Sequence, residues 1–304
     1  MLKIINRIKE ELIKSRFNNK AKKILETNPL SNFNDKSDLY ILSMVRSKDI
    51  NMLLIALKSF VRFVPIKGVL IVKDPDITDL DEQLLKHHLV NVTFIKADEM
   101  VDSNIPRGGT WERIFAIASN NNNGYIIQID ADTITNQKPE QVIEAVLSET
   151  AFTLGTNQGK AFKSLQESVE FAKSRKDSNK HIQLLCESLL TTLPEDFSMY
   201  VRGCSGFAGF PKGKLDKTKL VDLSQHYYSK LGNRWEEWGT EQFSSNVMVS
   251  NIEPNSVLNT AHYDVPHQNT LDQTFVHYIG PTRYASLKYL KNIEKVIGEL
   301  KSKV

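Results

Sequence analysis

Between residues 39 and 154 the sequence alternates. Short apolar runs, Leu39–Val45, Gly68–Val72, Val92–Ile95, Tyr125–Ile129 and Ala151–Leu154, are separated by stretches with helical spacing, Ile50–Phe63, Asp79–Leu89, Thr110–Ser119 and Pro139–Leu147. Runs this short between polar breaks are strand-length, and the stretches between them are long enough to cross back over a sheet. Repeated βα order predicts a mostly parallel sheet with helices on both faces, a Rossmann-like α/β fold. Tyr125–Ile129 is apolar at four of five positions without alternation, as expected of a strand covered on both faces.

That strand runs into Asp130-Ala131-Asp132-Thr133. Residues at i and i+2 of an extended chain project to the same side, and ligand sites of open α/β sheets lie at the carboxyl ends of strands. Two carboxylates held together repel unless a cation is near. Mg²⁺ or Mn²⁺ suits such oxygen ligands and bridges to phosphates. The plain alternative is a polar turn after a strand. Asp130-Ala131-Asp132-Thr133 also resembles the Asp-x-Asp-x-Thr strand end of haloacid-dehalogenase-type phosphatases, with Asp130 as nucleophile and Asp132 as general acid. Such chemistry wants a later Lys and a later acidic cluster after an apolar strand, and it places the pair on the opening strand. Here the pair follows three βα units.

Later residues bring a second resemblance. Phe275-Val-His277-Tyr-Ile-Gly280-Pro-Thr-Arg283 resembles the His-x-x-Gly-x-x-Lys signature of the retaining nucleotide-sugar glycosyltransferases that include glycogenin and bacterial lipopolysaccharide glucosyl- and galactosyltransferases. These enzymes have the GT-A fold. The resemblance implies that His277 joins Asp130 and Asp132 as a third ligand to Mn²⁺ or Mg²⁺, and that Arg283, standing where the family has Lys, grips the diphosphate; guanidinium does so bidentately. Gly203-Cys204-Ser205-Gly206 stands where the family has Asn-Ala-Gly or Asn-Ser-Gly beside the donor sugar, which puts Ser205 there. Trp238-Gly-Thr240-Glu241-Gln242 is similar to the acceptor-side segment. Glu241 would be a general base in an inverting enzyme; in a retaining one, Glu241 or Gln242 would stabilise positive charge on the donor sugar. Arg113, on the helix leading to the acidic pair, would reach the donor sugar or the first Asp. Ser43-Met-Val45-Arg46 would seat the nucleotide base. Trp238 fits a sugar-stacking face or a core position, His262 and His267 could line the acceptor side, and His87 and His88 read as solvated helix residues.

The resemblance implies transfer of a sugar from a nucleoside diphosphate sugar, UDP-linked, to a glycan or other hydroxyl acceptor in bacterial surface-glycan synthesis. A nucleotidyltransferase of related fold and a scaffold that has lost catalysis stay open beside it. The expected organisation is an N-terminal basic amphipathic helix and linker over 1–36, a GT-A domain over 37–282 with a helical insertion at 161–193, and a C-terminal helix over 283–304.

Charge bears on partners. The formal net charge of the 304 residues is +3, yet residues 1–25 hold eight basic and two acidic side chains, and 283–303 hold six and two. The body between is acidic, which argues against a nucleic-acid binder. Leu2, Ile5, Ile8, Leu12 and Ile13 share a helical stripe, with Lys and Arg opposite. Such a segment either meets an anionic membrane surface or packs on the domain. No run is long enough to span a bilayer, and two cysteines, Cys186 and Cys204, give no disulfide framework. The location expected is the cytoplasm, at the inner membrane face if the first helix engages lipid.

Overall fold

The computed structural model describes residues 2–176, 179–264, 272–280 and 283–302. In chain order its helices and strands are α1 (Leu2–Ala21), β1 (Leu39–Val45), α2 (Ile50–Val61), β2 (Gly68–Lys73), α3 (Asp79–His88), β3 (Val92–Lys96), α4 (Trp111–Asn120), β4 (Tyr125–Ile129), β5 (Thr133–Thr135), α5 (Glu140–Leu147), β6 (Ala151–Leu154), β7 (Lys163–Ser164), α6 (Leu165–Ser174), α7 (Ile182–Glu187), β8 (Met199–Tyr200), β9 (Cys204–Phe210), α8 (Lys217–Leu231), α9 (Thr240–Ser250), β10 (Asn255–Leu258), β11 (Tyr263–Asp264), β12 (Phe275–His277) and α10 (Lys288–Lys301). The alternation predicted for residues 39–154 is present. A mostly parallel seven-stranded sheet runs in the order β10-β6-β9-β4-β1-β2-β3. β6 and β9 pair antiparallel within it.

The chain forms two compact units. The first comprises Met1–Phe94, Ile129–Glu140 and Ala261–Val304; the second comprises Ile95–Gln128 and Gln141–Thr260. In the first unit β1 and β2 pair in parallel, with Leu42 opposite Leu70 and Met44 opposite Val72. Eleven of the twelve residues of α2 are buried, as its nearly uninterrupted apolar sequence requires. Among them is Lys58, 1% exposed, whose Nζ donates to Thr27 Oγ1 (2.8 Å) and to the Asn28 carbonyl (2.7 Å). Its third partner is His88 Nδ1 at 3.0 Å. An ammonium has only hydrogens to give, so Nδ1 must accept, and His88 is held neutral with its proton on Nε2. His88 is 1% exposed, not the solvated residue its sequence context suggests. Burial, then Lys58, depresses its pKa to about 4, and burial lowers Lys58 to about 8.

The terminal helices also belong to the first unit. α1 turns Ile13, Phe17 and Ala21 inward, while Ile8 and Leu12 are more than half exposed. The buried stripe is therefore shifted from the one read off the sequence; Leu2 and Ile5 side chains lie outside the described residues. Phe17 meets Tyr284 at 5.4 Å and Tyr289 of α10 at 4.4 Å, ring centre to ring centre, and Tyr289 stacks on Tyr278 at 4.1 Å. Lys20 pairs with Glu294 of α10 at 2.7 Å. α1 is thus docked through one face.

In the second unit an aromatic core forms around Trp235. Tyr227 of α8 stacks on it at 4.8 Å, and Trp111 of α4 and Phe243 of α9 meet it edge-on. Residues 161–193, expected as a helical insertion, hold α6, α7 and the short β7, which pairs antiparallel with β8. Ser164 caps α6 through a capping box with Glu167. Among the described residues no helix is long and apolar enough to cross a membrane.

The Lys58–His88 pair sets an acid sensitivity. The folded pKa of His88 lies below its ordinary value of 6.5, so the unfolded chain binds the extra proton first and stability is lost as pH falls from about 6.5 through 4. Urea unfolding across that window should show a loss of about 3 kcal/mol in the wild type that is largely missing from His88→Gln.

Candidate active site

The first unit carries the acidic pair. β4 ends at Ile129, and a turn follows in which Thr133 Oγ1 donates to the Asp130 carbonyl at 2.8 Å. β5 then pairs antiparallel with β12, in a register that sets His277 opposite Thr133. The Tyr278 amide continues the ladder by donating to the Asp132 carbonyl at 2.8 Å. Two segments 145 residues apart are thereby fixed side by side. His277 Nε2 lies 3.0 Å from Asp132 Oδ1 and 3.6 Å from Asp130 Oδ2. Arg283 Nη2 forms an ion pair with Asp132 Oδ2, and its Nε donates to the Tyr278 carbonyl at 3.4 Å.

Asp130, Asp132 and His277 each offer a ligand atom within 4.8 Å of the other two. Donors at about 2.1 Å from one octahedral ion lie about 3 Å apart when adjacent and about 4.2 Å apart when opposite. The two spacings from His277, 3.0 Å and 3.6 Å, fall in that range, and two carboxylates with one imidazole suit Mn²⁺ or Mg²⁺. The residues fit a divalent cation. Their exposure is graded, with the Asp132 and His277 side chains at 9% and 6% and Asp130 at 26%. Burial works to raise the pKa of Asp132, but His277 and Arg283 outweigh it and hold the carboxyl down at about 2. It is ionised at any ordinary pH.

Asp49 was not singled out in the sequence. It sits at the start of α2, just after β1, where burial raises its pKa; the charges of Arg283 and Asp132 both act on it. The rule that found Asp130, a carboxylate beyond the end of a strand, applies equally to Asp49. Arg46, expected against the nucleotide, is half exposed and paired with Asp76 at 3.4 Å and Asp74 at 3.8 Å. Ser43, in the same segment, is buried and donates to the Ile129 carbonyl at 2.6 Å, tying β1 to the end of β4.

The second unit gathers three other candidates. Arg113 of α4 donates through Nη2 to Glu241 Oε1 at 3.1 Å and Oε2 at 3.0 Å, and Ser205 of β9 donates to Glu241 Oε2 at 3.2 Å. Thr110 Oγ1 reaches the same oxygen at 3.2 Å. Arg113, Ser205 and Glu241 are 5%, 3% and 2% exposed. Gly239 caps α9 at φ +111°, a conformation open to glycine. Thr240 is the first helical residue; its hydroxyl donates to the Glu237 carbonyl and accepts from Trp111 Nε1. Gly108, Gly109 and Thr110 all have positive φ, and for a β-branched Thr110 that is strain of about 1 kcal/mol or more, held beside Glu241.

Gln242 is half-buried. Trp238 is 78% exposed, so it is no core residue. His262 is exposed, and His267, with Pro281 and Thr282 of the His277–Arg283 segment, lies outside the described residues. Cys204 is buried on β9.

No family model matches the chain, and no curated protein matches it by sequence. Solved structures do. The galactosyltransferase LgtC, crystallised with donor and acceptor sugar analogues, is similar at a TM-score of 0.55 and 10% identity, over 86% of this chain and 95% of that one. The fold is GT-A. An active-site mutant of LgtC matches at a TM-score of 0.54 with the same identity and coverage. The bifunctional glycosyltransferase WbbM matches at 0.50 and 12% identity, over 88% of this chain and 52% of that one. At such identities the likeness concerns the GT-A fold, and chemistry has to be argued from this chain's own residues.

Buried ion pairs are costly to break one-sidedly. Arg113→Met leaves Glu241 charged and uncompensated and should lower unfolding free energy by about 3–5 kcal/mol in urea titration. The double change Arg113→Met, Glu241→Leu should recover most of that loss.

Proposed function

We propose that this protein is a metal-dependent glycosyltransferase that moves a sugar from a nucleoside diphosphate sugar, UDP-linked, to a hydroxyl acceptor of a bacterial surface glycan. The observation that carries the reading is the convergence of Asp130, Asp132 and His277, with Arg283 at hand, on the GT-A fold. Asp130, Asp132 and His277 would hold a divalent cation, whose charge would offset that of a leaving diphosphate. Arg283 takes a share of that charge through its planar fork.

Glu241 is the catalytic carboxylate of this reading. A general base needs a free and basic lone pair, whereas Glu241 already accepts from Arg113, Ser205 and Thr110, which favours its charged form. A fixed anion of that kind stabilises positive charge growing on the donor sugar, so we assign retention of anomeric configuration, with Gln242 beside it as a neutral polar contact. Trp238 offers its exposed ring to an acceptor sugar.

A thermal-shift screen over nucleotide sugars, with and without Mn²⁺, tests the reading directly. A UDP-sugar at one hundred times its Kd should stabilise the folded chain by about 2.7 kcal/mol when Mn²⁺ is present. Asp132→Ala should abolish the shift and cut transfer by at least about 100-fold, since even groups supporting a metal ligand cost 10–100-fold when lost. Release of phosphate from simple phosphoesters, with no nucleotide-dependent shift, would assign the acidic pair to a phosphatase instead.

α1 leaves Ile8 and Leu12 exposed among Arg7, Lys9, Lys14 and Arg16. In the proposed setting this face rests on an anionic membrane surface. Ile8→Glu with Leu12→Glu should reduce co-sedimentation with phosphatidylserine vesicles while leaving the unfolding midpoint unchanged; equal sedimentation of both proteins would remove the contact.

A further inference from the structure

Both carboxylate oxygens of Asp132 are engaged. Oδ1 faces His277 Nε2 at 3.0 Å, and Oδ2 is paired with Arg283 Nη2. Beyond that ion pair, the Arg283 side chain also hydrogen-bonds the neighbouring Tyr284 side chain. Its Nε meets the Tyr278 carbonyl at a long 3.4 Å, its backbone N–H meets the Gly280 carbonyl at 3.3 Å, and its side chain is 23% exposed. The next residue, Tyr284, is anchored by its edge contact with Phe17. The backbone beyond Arg283 is thus pinned by packing, while the only ion pair of its guanidinium among the described residues is with Asp132.

A guanidinium and a divalent cation compete for that carboxylate. Both are positive, and their mutual repulsion at a distance of a few ångströms is strong wherever water is partly excluded. Bringing a diphosphate to the cation changes the balance, because it offers Arg283 a second anion of matching geometry. A Lys would compete less well for Asp132, as a strongly hydrated point charge without the planar fork.

We propose that Arg283 is the built-in counter-cation of the acidic pair. It neutralises Asp132 while the site holds no divalent cation, and it hands Asp132 to the cation only as it transfers to the diphosphate. Cation and nucleotide therefore bind with positive coupling, and the site discriminates against the free metal ion. This rests on the reading that Asp130, Asp132 and His277 take a divalent cation. The ligand class is a divalent cation accompanied by a nucleoside diphosphate, taken as a pair.

The test is Mn²⁺ binding to the full chain at fixed ionic strength, read from the free-ion electron paramagnetic resonance signal, with and without UDP. Arg283→Gln should bind Mn²⁺ alone about tenfold more tightly than the wild type, within the usual range of coupling between sites. UDP should tighten Mn²⁺ binding by the wild type at least fivefold, and by Arg283→Gln far less. Arg283→Lys should fall between them. Linkage requires the reciprocal effect, so Mn²⁺ must tighten UDP binding to the wild type by the same factor. An arginine that merely braced the loop would give weaker Mn²⁺ binding on removal. If wild-type protein takes Mn²⁺ with UDP, yet Arg283→Gln binds Mn²⁺ alone no more tightly, the counter-cation role is overturned and the metal site stands. If the wild type takes no Mn²⁺ even with UDP, the metal site falls and this inference with it.

Discussion

Two carboxylates at the end of a buried strand cannot remain ionised beside one another without positive charge. Much in the first unit follows from that constraint. β5 and β12 exist as a short antiparallel ladder whose register delivers His277 to Asp132. The turn after β12 delivers Arg283 to the other oxygen. Asp132 is 6% exposed, and burial alone would push it towards its neutral form. His277 and Arg283 together reverse that, and the carboxyl stays charged and able to bind a cation. The local sheet, the turn and the two partners of Asp132 are one electrostatic device.

The second unit handles a single buried carboxylate differently. Glu241 is neutralised by a dedicated partner, Arg113, with hydroxyls of Ser205 and Thr110 completing its shell. Aromatic packing of Trp111, Trp235, Tyr227 and Phe243 joins α4, α8 and α9, the first and last of which carry that pair. Where Asp132 meets two partners, one on each oxygen, Glu241 is paired through both oxygens with the single guanidinium nitrogen Nη2 of Arg113. A carboxylate that needs no reorganisation at the moment of reaction is what electrostatic stabilisation of a short-lived positive charge asks for.

The βα succession, the buried β4 and the acidic pair were legible because they depend on local pattern: apolar runs, their spacing and a polar stop. His277 and Arg283 were reachable only through a motif resemblance, since no periodicity links residue 132 to residue 277. Asp49 escaped because a lone Asp at a helix start has an ordinary explanation. His88 was misread as solvated because its neighbours His87 and Lys86 are polar, whereas its burial is decided by Lys58 on another helix. The stripe of α1 was misplaced by a few residues for the same kind of reason. Ile8 and Leu12 are as apolar as Ile13 and Phe17, and only the position of α10 decides which pair is covered. The left-handed backbone at Thr110 has no local signal beyond the two glycines before it.

Phe17 joins α1 to Tyr284 and Tyr289, and Tyr284 follows Arg283 directly in the chain. The first helix is therefore a structural neighbour of the segment that carries Arg283 as well as a basic surface. Shortening the protein from its beginning past residue 16 would open an aromatic-sized gap under that loop, at a typical cost of about 3–5 kcal/mol for a lost buried Phe. Anyone trimming the molecule for solubility would thereby loosen the segment that carries Arg283 without altering Asp130, Asp132 or His277.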